Sequence, residues 1–218
     1  MKMSPSETHN HRRKLFGTMA ASHLLGAALA RRLGYLRYAC YARNSVSADS
    51  HFPPPGITVR PARFDEVRFW ANCPDLDVPE DFVSSLQPGR DFVVAAYAAS
   101  DDMAPPMAYA FLSLGTTAID QRWSIELPAD GAYIYKAYVR KEHRGLGLNR
   151  VCCRELMALE QAKGRRVFAL VEASNMVSRR SFEGLGFSVV GSLLTWSGGT
   201  RARLTLGARK AGLHLVSG

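Results

Sequence analysis

The sequence predicts a mixed α/β fold with one sheet and one core, on three observations. Strand-like and helix-like runs alternate from Ile57 onward. Val167 to Val171 is an almost wholly apolar run, typical of a strand covered on both faces. Arg144-Gly145-Leu146-Gly147-Leu148-Asn149 joins a strand-like run to a helix-like one through two glycines. At 218 residues, the chain has room for one domain of ordinary size and an appendage.

The elements follow in order. Ile57-Thr58-Val59-Arg60 alternates like a strand, and Arg63 to Cys73 has amphipathic helical spacing, with Val67, Trp70 and Ala71 on one side. Phe92 to Tyr97 and Met107 to Leu114 are apolar runs divided by Ser100-Asp101-Asp102 and Pro105-Pro106, turn chemistry that predicts a hairpin. Ile119 to Leu127 is a further candidate strand, and Tyr133 to Val139 leads into the glycine turn. Leu148, Val151, Cys152, Leu156 and Leu159 then recur at helical spacing, with Gly164 as the stop. After Val167 to Val171, a second helix runs from about Asn175 to Gly186. Phe187 to Trp196 and Arg201 to Leu206 close the domain as a hairpin around Ser197-Gly198-Gly199.

Charge marks the appendage. Residues 1–50 hold 8 Lys/Arg against 2 Asp/Glu, so most of the net +9 lies there. A pI near 9.7 would suit nucleic acid, but the remainder is nearly neutral and carries no interleaved aromatic and basic stripe, so no nucleic-acid partner is expected. His11-Arg12-Arg13-Lys14 precedes an uncharged run from Leu15 to Ala30, which imitates a secretory or twin-arginine signal. That run is 16 residues long and rich in Ala and Gly, too short to span a membrane. Three readings stay open: a non-cleaved helix or overlong start, a basic interfacial anchor over residues 12–37, or a cleaved signal or transit peptide. With His51-Phe52-Pro53-Pro54-Pro55-Gly56 as a stiff linker, the division is 1–52 for a basic helical extension and linker, 53–207 for the domain and 208–218 for a tail. Arg31 to Arg43, with its interspersed Leu and Tyr, could instead pack on the domain.

Cys40, Cys73, Cys152 and Cys153 show no metal-ligand spacing, and a vicinal pair in a helix makes a poor disulfide. Reduced core thiols and no metal are expected.

The chemistry lies in the glycine turn. Two glycines let a backbone approach a ligand without a Cβ in the way, and the following helix aims its unpaired N–H groups at the same point, so an anion belongs there. A third glycine is missing for a dinucleotide fingerprint, and no Gly-Lys-Ser/Thr run occurs for a nucleotide-hydrolase loop.

Two motifs resemble the GNAT superfamily of acyl-CoA-dependent N-acyltransferases. The first is Val139, four residues, then Arg144-Gly145-Leu146-Gly147-Leu148, with Asn149 in place of the family's small residue. The second is Asn175-Met176-Val177-Ser178, then Phe182, then Gly186-Phe187. The resemblance implies a central mixed β-sheet flanked by helices, and direct attack of an amine on the thioester of acetyl-CoA or another acyl-CoA. It also implies roles. Backbone N–H groups of Gly145, Leu146, Gly147, Leu148 and Asn149 would hold the pyrophosphate, with Arg144 adding charge. The backbone at Tyr138 and Val139 would pair with the pantetheine arm, and Asn175 would hydrogen-bond it, or cap its helix, or both. Ser178 and Phe182 would line the donor site.

Phe182 stands where the family usually has a tyrosine that protonates the leaving thiolate, a loss that Ser178, Ser181 or water would have to cover. No carboxylate lies within Tyr133 to Val139, so Glu126, or Tyr133 through water, is the candidate proton acceptor beside turn and surface roles. The expected function is cytoplasmic N-acyl transfer to a small-molecule or peptide amine, with peripheral membrane contact through the N-terminus as an added option. A catalytically weakened acyl-CoA-binding module and an O-acyltransferase are the alternatives. The acceptor pocket is expected between the Asn72 to Gly89 segment and the Leu114 to Gly131 connection.

Overall fold

The computed structural model describes residues 35–44, 53–100, 104–120, 122–196 and 199–217. Its strands are β1 (Leu36–Asn44), β2 (Ile57–Pro61), β3 (Asp91–Ala98), β4 (Ala108–Ser113), β5 (Thr117–Ala118), β6 (Trp123–Glu126), β7 (Gly131–Val139), β8 (Arg166–Glu172), β9 (Ser188–Trp196), β10 (Arg201–Leu204) and β11 (His214–Ser217). Its helices are α1 (Phe64–Trp70), α2 (Glu80–Ser85), α3 (Leu148–Ala158), α4 (Met176–Gly184) and α5 (Leu206–Lys210). Eight strands form a central sheet in the order β10-β9-β1-β8-β7-β4-β3-β2, and β11-β6-β5 form a small second sheet. In the central sheet, β7 and β8 run parallel and every other pair is antiparallel.

Alternation along the strands divides the core. Val94, Ala96, Ala108, Ala110, Leu112 and Ile134 face α3 and α4, meeting Leu148, Cys152, Leu156 and Phe182. Val93, Ala95, Tyr97, Tyr109 and Phe111 face the other way and are covered by α1 and its following loops, through Val67, Trp70, Leu76 and Val78. β4 is buried at all six positions because both its faces are covered. Burying a side chain such as Leu156 contributes about 1.5–3 kcal/mol. α3 ends at Ala158, ahead of the stop expected at Gly164; Gly164, at φ 71, instead follows the 3-10 turn Glu160–Ala162.

Three expectations need correction. Leu36–Asn44, assigned to the extension, is an inner strand of the sheet, paired with β8 (Tyr38↔Glu172) and with β9 (Tyr38↔Leu193). Ala39, Cys40, Tyr41 and Ala42 are buried in succession, so a strand covered on both faces shows no period-two pattern, and its flanking arginines hide it within a basic segment. Arg37 Nε donates to Ser192 Oγ (3.3 Å) and Arg43 donates to the Leu185 carbonyl, so these charges serve the fold. The tail is also structured, because Ala208, Ala211 and Leu213 are buried and β11 pairs with β6. Of the strand expected over Ile119 to Leu127, Trp123–Glu126 forms as β6, which pairs with the short β5 just before the expected range and lies outside the central sheet. The helical extension and possible anchor, residues 12–34, lie outside the described residues. Among the described residues, no helix is long and apolar enough to cross a membrane.

Candidate active site

The parallel pair opens the sheet. β7 and β8 stay in register only over residues 131–134, opposite 166–169; beyond Ile134, β7 keeps β4 on one side while β8 keeps β1 on the other. A bulge in β7 marks the parting, with Lys136 at φ 47 in the left-handed region. A non-glycine residue there costs on the order of 1–3 kcal/mol, a strain typical of functional sites.

Backbone direction on the open edge follows from one hydrogen bond. The Arg140 N–H donates to the Met107 carbonyl (3.0 Å), so antiparallel alternation turns the backbone groups of Tyr138 toward β4 and those of Val139 toward the gap. Arg144 Nε, donating to the Val139 carbonyl from the cradle side at 3.3 Å, agrees. Tyr138 therefore departs from the sequence expectation. Its ring stacks on Tyr109 (5.5 Å) and its hydroxyl donates to the Asp75 carbonyl (2.8 Å), away from the gap.

The cradle follows directly. Gly145 (φ 88) and Gly147 (φ 74) adopt the left-handed conformation, and Gly147 caps α3. No atom lies within 4 Å of the place a Cβ would take at either glycine, so the concavity is open. Leu148 is buried and anchors the first turn of α3, while Leu146 stands exposed. The Leu148 and Asn149 N–H groups precede any partner within the helix, and the ladder starts with Arg150 N–H on the Gly147 carbonyl (3.0 Å). Asn149 does not crowd the cradle, because its Nδ2 donates to Ser181 Oγ on α4 (2.9 Å). That bond also ties up Ser181.

On α4, Asn175 Oδ1 accepts the Ser178 N–H (3.0 Å), so Asn175 is a helix cap. Its Nδ2 remains a donor. Ser178, half-buried, sits on the first turn. Phe182 is buried, stacked on Tyr41 (6.2 Å) and edge-on to Phe187 (5.1 Å), which places it in the core between α4 and β1. The Tyr41 hydroxyl donates to Glu183 Oε1 (2.8 Å) and accepts from Arg179 Nε (3.1 Å).

The two acid–base candidates do not reach the gap. Tyr133 packs in the core beside Cys40 and Phe168, and burial pushes its phenol far above the ordinary value, leaving it no use as a relay near neutral pH. Glu126 lies on β6, opposite His214 in the small sheet, before the buried start of β7. Sequence reasoning placed both by chain proximity, whereas the strand carries their region to the far end of the sheet.

A cleft of about 650 Å³ lies over the end of β7, on the α1–α2 side. Ala71 to Pro79 forms one wall and Tyr138, Lys141 and Glu142 the other, so the expected Asn72 to Gly89 segment contributes, but the Leu114 to Gly131 connection does not. Asp77 is held by Lys136 Nζ (3.2 Å), and Asp75 and Glu142 by Arg140 Nη2 (3.5 and 2.8 Å). Arg140 Nε is buried without a hydrogen bond. These carboxylates were missed in the sequence. Their signals were Lys136, the one charge inside an apolar strand, and the Pro74 to Pro79 turn run with its two aspartates.

All four cysteines are free. Burial pushes the Cys153 and Cys40 thiols up to about 12 and Cys152 higher still, so none of these three is a thiolate nucleophile near neutral pH. Among the described residues, no cluster of His, Cys, Asp or Glu could hold a metal ion.

Comparison with known proteins agrees with this geometry. Residues 117–196, which include the end of β7, the cradle, β8 and α4, match the family model described as FR47-like protein. A Drosophila protein of known structure shares 11% identity at a TM-score of 0.52, over 83% of this chain and 58% of its own. GCN5-related N-acetyltransferases from Kribbella flavida (14% identity, TM-score 0.48, 86% and 66% coverage) and Sphaerobacter thermophilus (15%, 0.45, 88% and 56%) align at lower scores. The chain thus spans about three-fifths of the length of these structures, of which the Drosophila protein speaks to the fold and to nothing more. No curated protein matches the sequence. Two motifs on either side of a split sheet resemble the GNAT superfamily, and the match to the FR47-like family model over residues 117–196 spans both.

Proposed function

We propose that the chain transfers an acyl group from acyl-CoA to an amine by direct attack. The observation that carries this reading is the coincidence of one open strand edge, at Val139, with the open double-glycine turn that starts α3. An edge with free alternating donors and acceptors suits an amide-bearing arm, and a helix N-terminus behind two glycines suits a pyrophosphate. The N–H groups of residues 145–149 would hold the phosphates, with Arg144 adding charge. Val139 would pair with the pantetheine arm, and Asn175 Nδ2 would donate to it. An acceptor amine would enter from the cleft, where Asp75, Asp77 and Glu142 supply carboxylates able to take its proton through water. Acetyl-CoA is the simplest donor, and a cytosol-facing location would give access to it.

Phe182 favours a second reading, a CoA-binding module with weakened catalysis, since a buried phenyl ring has no proton for the leaving thiolate. Calorimetry and thiol release separate the two. CoA should bind the wild type and fail to bind Gly147→Trp, whose indole fills the open concavity, while Gly147→Ala keeps most of the affinity. Undiminished binding by a folded Gly147→Trp protein would sink the donor site. With acetyl-CoA and an amine panel, amine-dependent thiol release supports the transferase, and binding without release supports the module.

A further inference from the structure

The pole of the molecule that carries the cradle has a second character. β7 and β8 run parallel, so the ends of both strands, the glycine turn and the start of α4 lie at one end of the sheet. β1 is antiparallel to β8, and the Ala173 N–H donates to the Arg37 carbonyl (2.7 Å), so the described chain also enters at that end, at Tyr35. Eight large apolar side chains are exposed among the described residues, and four of them, Tyr35, Leu146, Met176 and Val177, fall on this pole. Val177 is 82% exposed on the first turn of α4, where nothing in the fold requires an apolar residue. Each of the three segments pairs its apolar residue with an exposed cation: Arg37, Arg144 and Arg180.

Three observations identify the occupant. The apolar residues are too dispersed for a packed protein interface core but suit shallow insertion below headgroups. The exposed cations beside them complement an anionic surface, Arg180 directly and Arg37 and Arg144 through the guanidinium nitrogens left over from their bonds to Ser192 Oγ and the Val139 carbonyl. The 34 residues that precede Tyr35 hold six Lys/Arg against one Asp/Glu and include the uncharged run 15–30, and the described chain begins at this same pole. We infer that this pole docks on an anionic lipid surface, with Leu146, Met176 and Val177 inserted at the interface. The inference does not rest on acyl transfer, although Arg144 and Leu146 also belong to the proposed donor cradle, so donor and membrane approach the same face.

Flotation of the full-length protein with vesicles tests it. The wild type should float with phosphatidylglycerol vesicles at low salt, be released at high salt and ignore phosphatidylcholine. Met176→Asp combined with Val177→Asp, both on the surface and so harmless to the melting temperature, should lower partitioning at least tenfold, since each removes the insertion of one apolar side chain. A wild type that stays behind with anionic vesicles overturns the proposal, as does one that binds a nucleic-acid duplex in their place. Equal flotation of wild type and double variant would assign any binding to the N-terminal segment alone and overturn the pole as the surface.

Discussion

Phe182 is a core residue on the α4 side, at the position where the resemblance implies a proton donor. Its ring packs between Tyr41 and Phe187, so the neighbours in reach of an added hydroxyl are aromatic. Phe182→Tyr should therefore cost about 1–3 kcal/mol of stability for a buried unpaired hydroxyl, with CoA affinity and kcat unchanged. Thermal melting and steady-state kinetics on the same preparation check this. A rise in kcat at constant melting temperature would instead put the ring's edge on the thioester sulfur. Asn149 has the opposite history. The sequence presented it as an obstruction in the cradle, and the bond to Ser181 makes it a clasp between α3 and α4. A side chain's direction depends on a partner 32 residues away, which spacing along the chain does not encode.

At the scale of elements, β1 is the piece that changes the domain boundary. It lies between β8 and β9 with Cys40 and Tyr41 at 0% exposure, so removing it would expose both neighbouring edges and open the core beneath α4. A protein beginning at Tyr35 should melt cooperatively near the full-length temperature, whereas one beginning at Pro53 should lose cooperative unfolding or aggregate. Circular dichroism melts of both decide it, and a well-folded protein from Pro53 would make β1 an accessory strand. Tyr41→Ala in the full chain should cost about 3–5 kcal/mol, as other large aromatic truncations in cores do. The longer elements bounded by turn chemistry, β2, α1, β3, β4, β7, α3, β8 and α4, were legible because each carries its own period, whereas the short α2 and β5 carry too few residues to show one. β1 was not, because an inner strand has no polar face and its register is set by β8 and β9.

The whole molecule carries its thiols as an alkaline liability. Burial raises Cys40 and Cys153 from the ordinary thiol value to about 12, and Cys152 further. In the unfolded chain these thiols ionise near their ordinary pKa, while the folded chain keeps them protonated, so the unfolded state binds fewer protons above about pH 9. Stability attributable to them is fully present below that pH and falls progressively up to about pH 12, by at most about 1.4 kcal/mol per thiol per pH unit. The urea midpoint should therefore drop between pH 8 and pH 10.5, and drop less in Cys153→Ala. An unchanged midpoint would mean that water reaches these thiols in the folded protein.

The sequence by itself determined the mixed α/β class, the order of the principal elements β2, α1, β3, β4, β7, α3, β8, α4, β9 and β10, the position of the cradle and the left-handed glycines that form it, because these depend on periodicity and on the conformational freedom of single residues. The family resemblance followed from the same two motifs. Tertiary structure alone decided which backbone faces the gap, since that depends on the phase of β7 against β4, and it placed Tyr133 in the core and Glu126 on the small sheet. It also turned a basic extension into an inner strand and drew Lys136, Arg140 and the aspartates around one cleft. Those outcomes depend on pairing between segments far apart in the chain, where the free energy comes from shared burial and complementary hydrogen bonding that no local pattern contains.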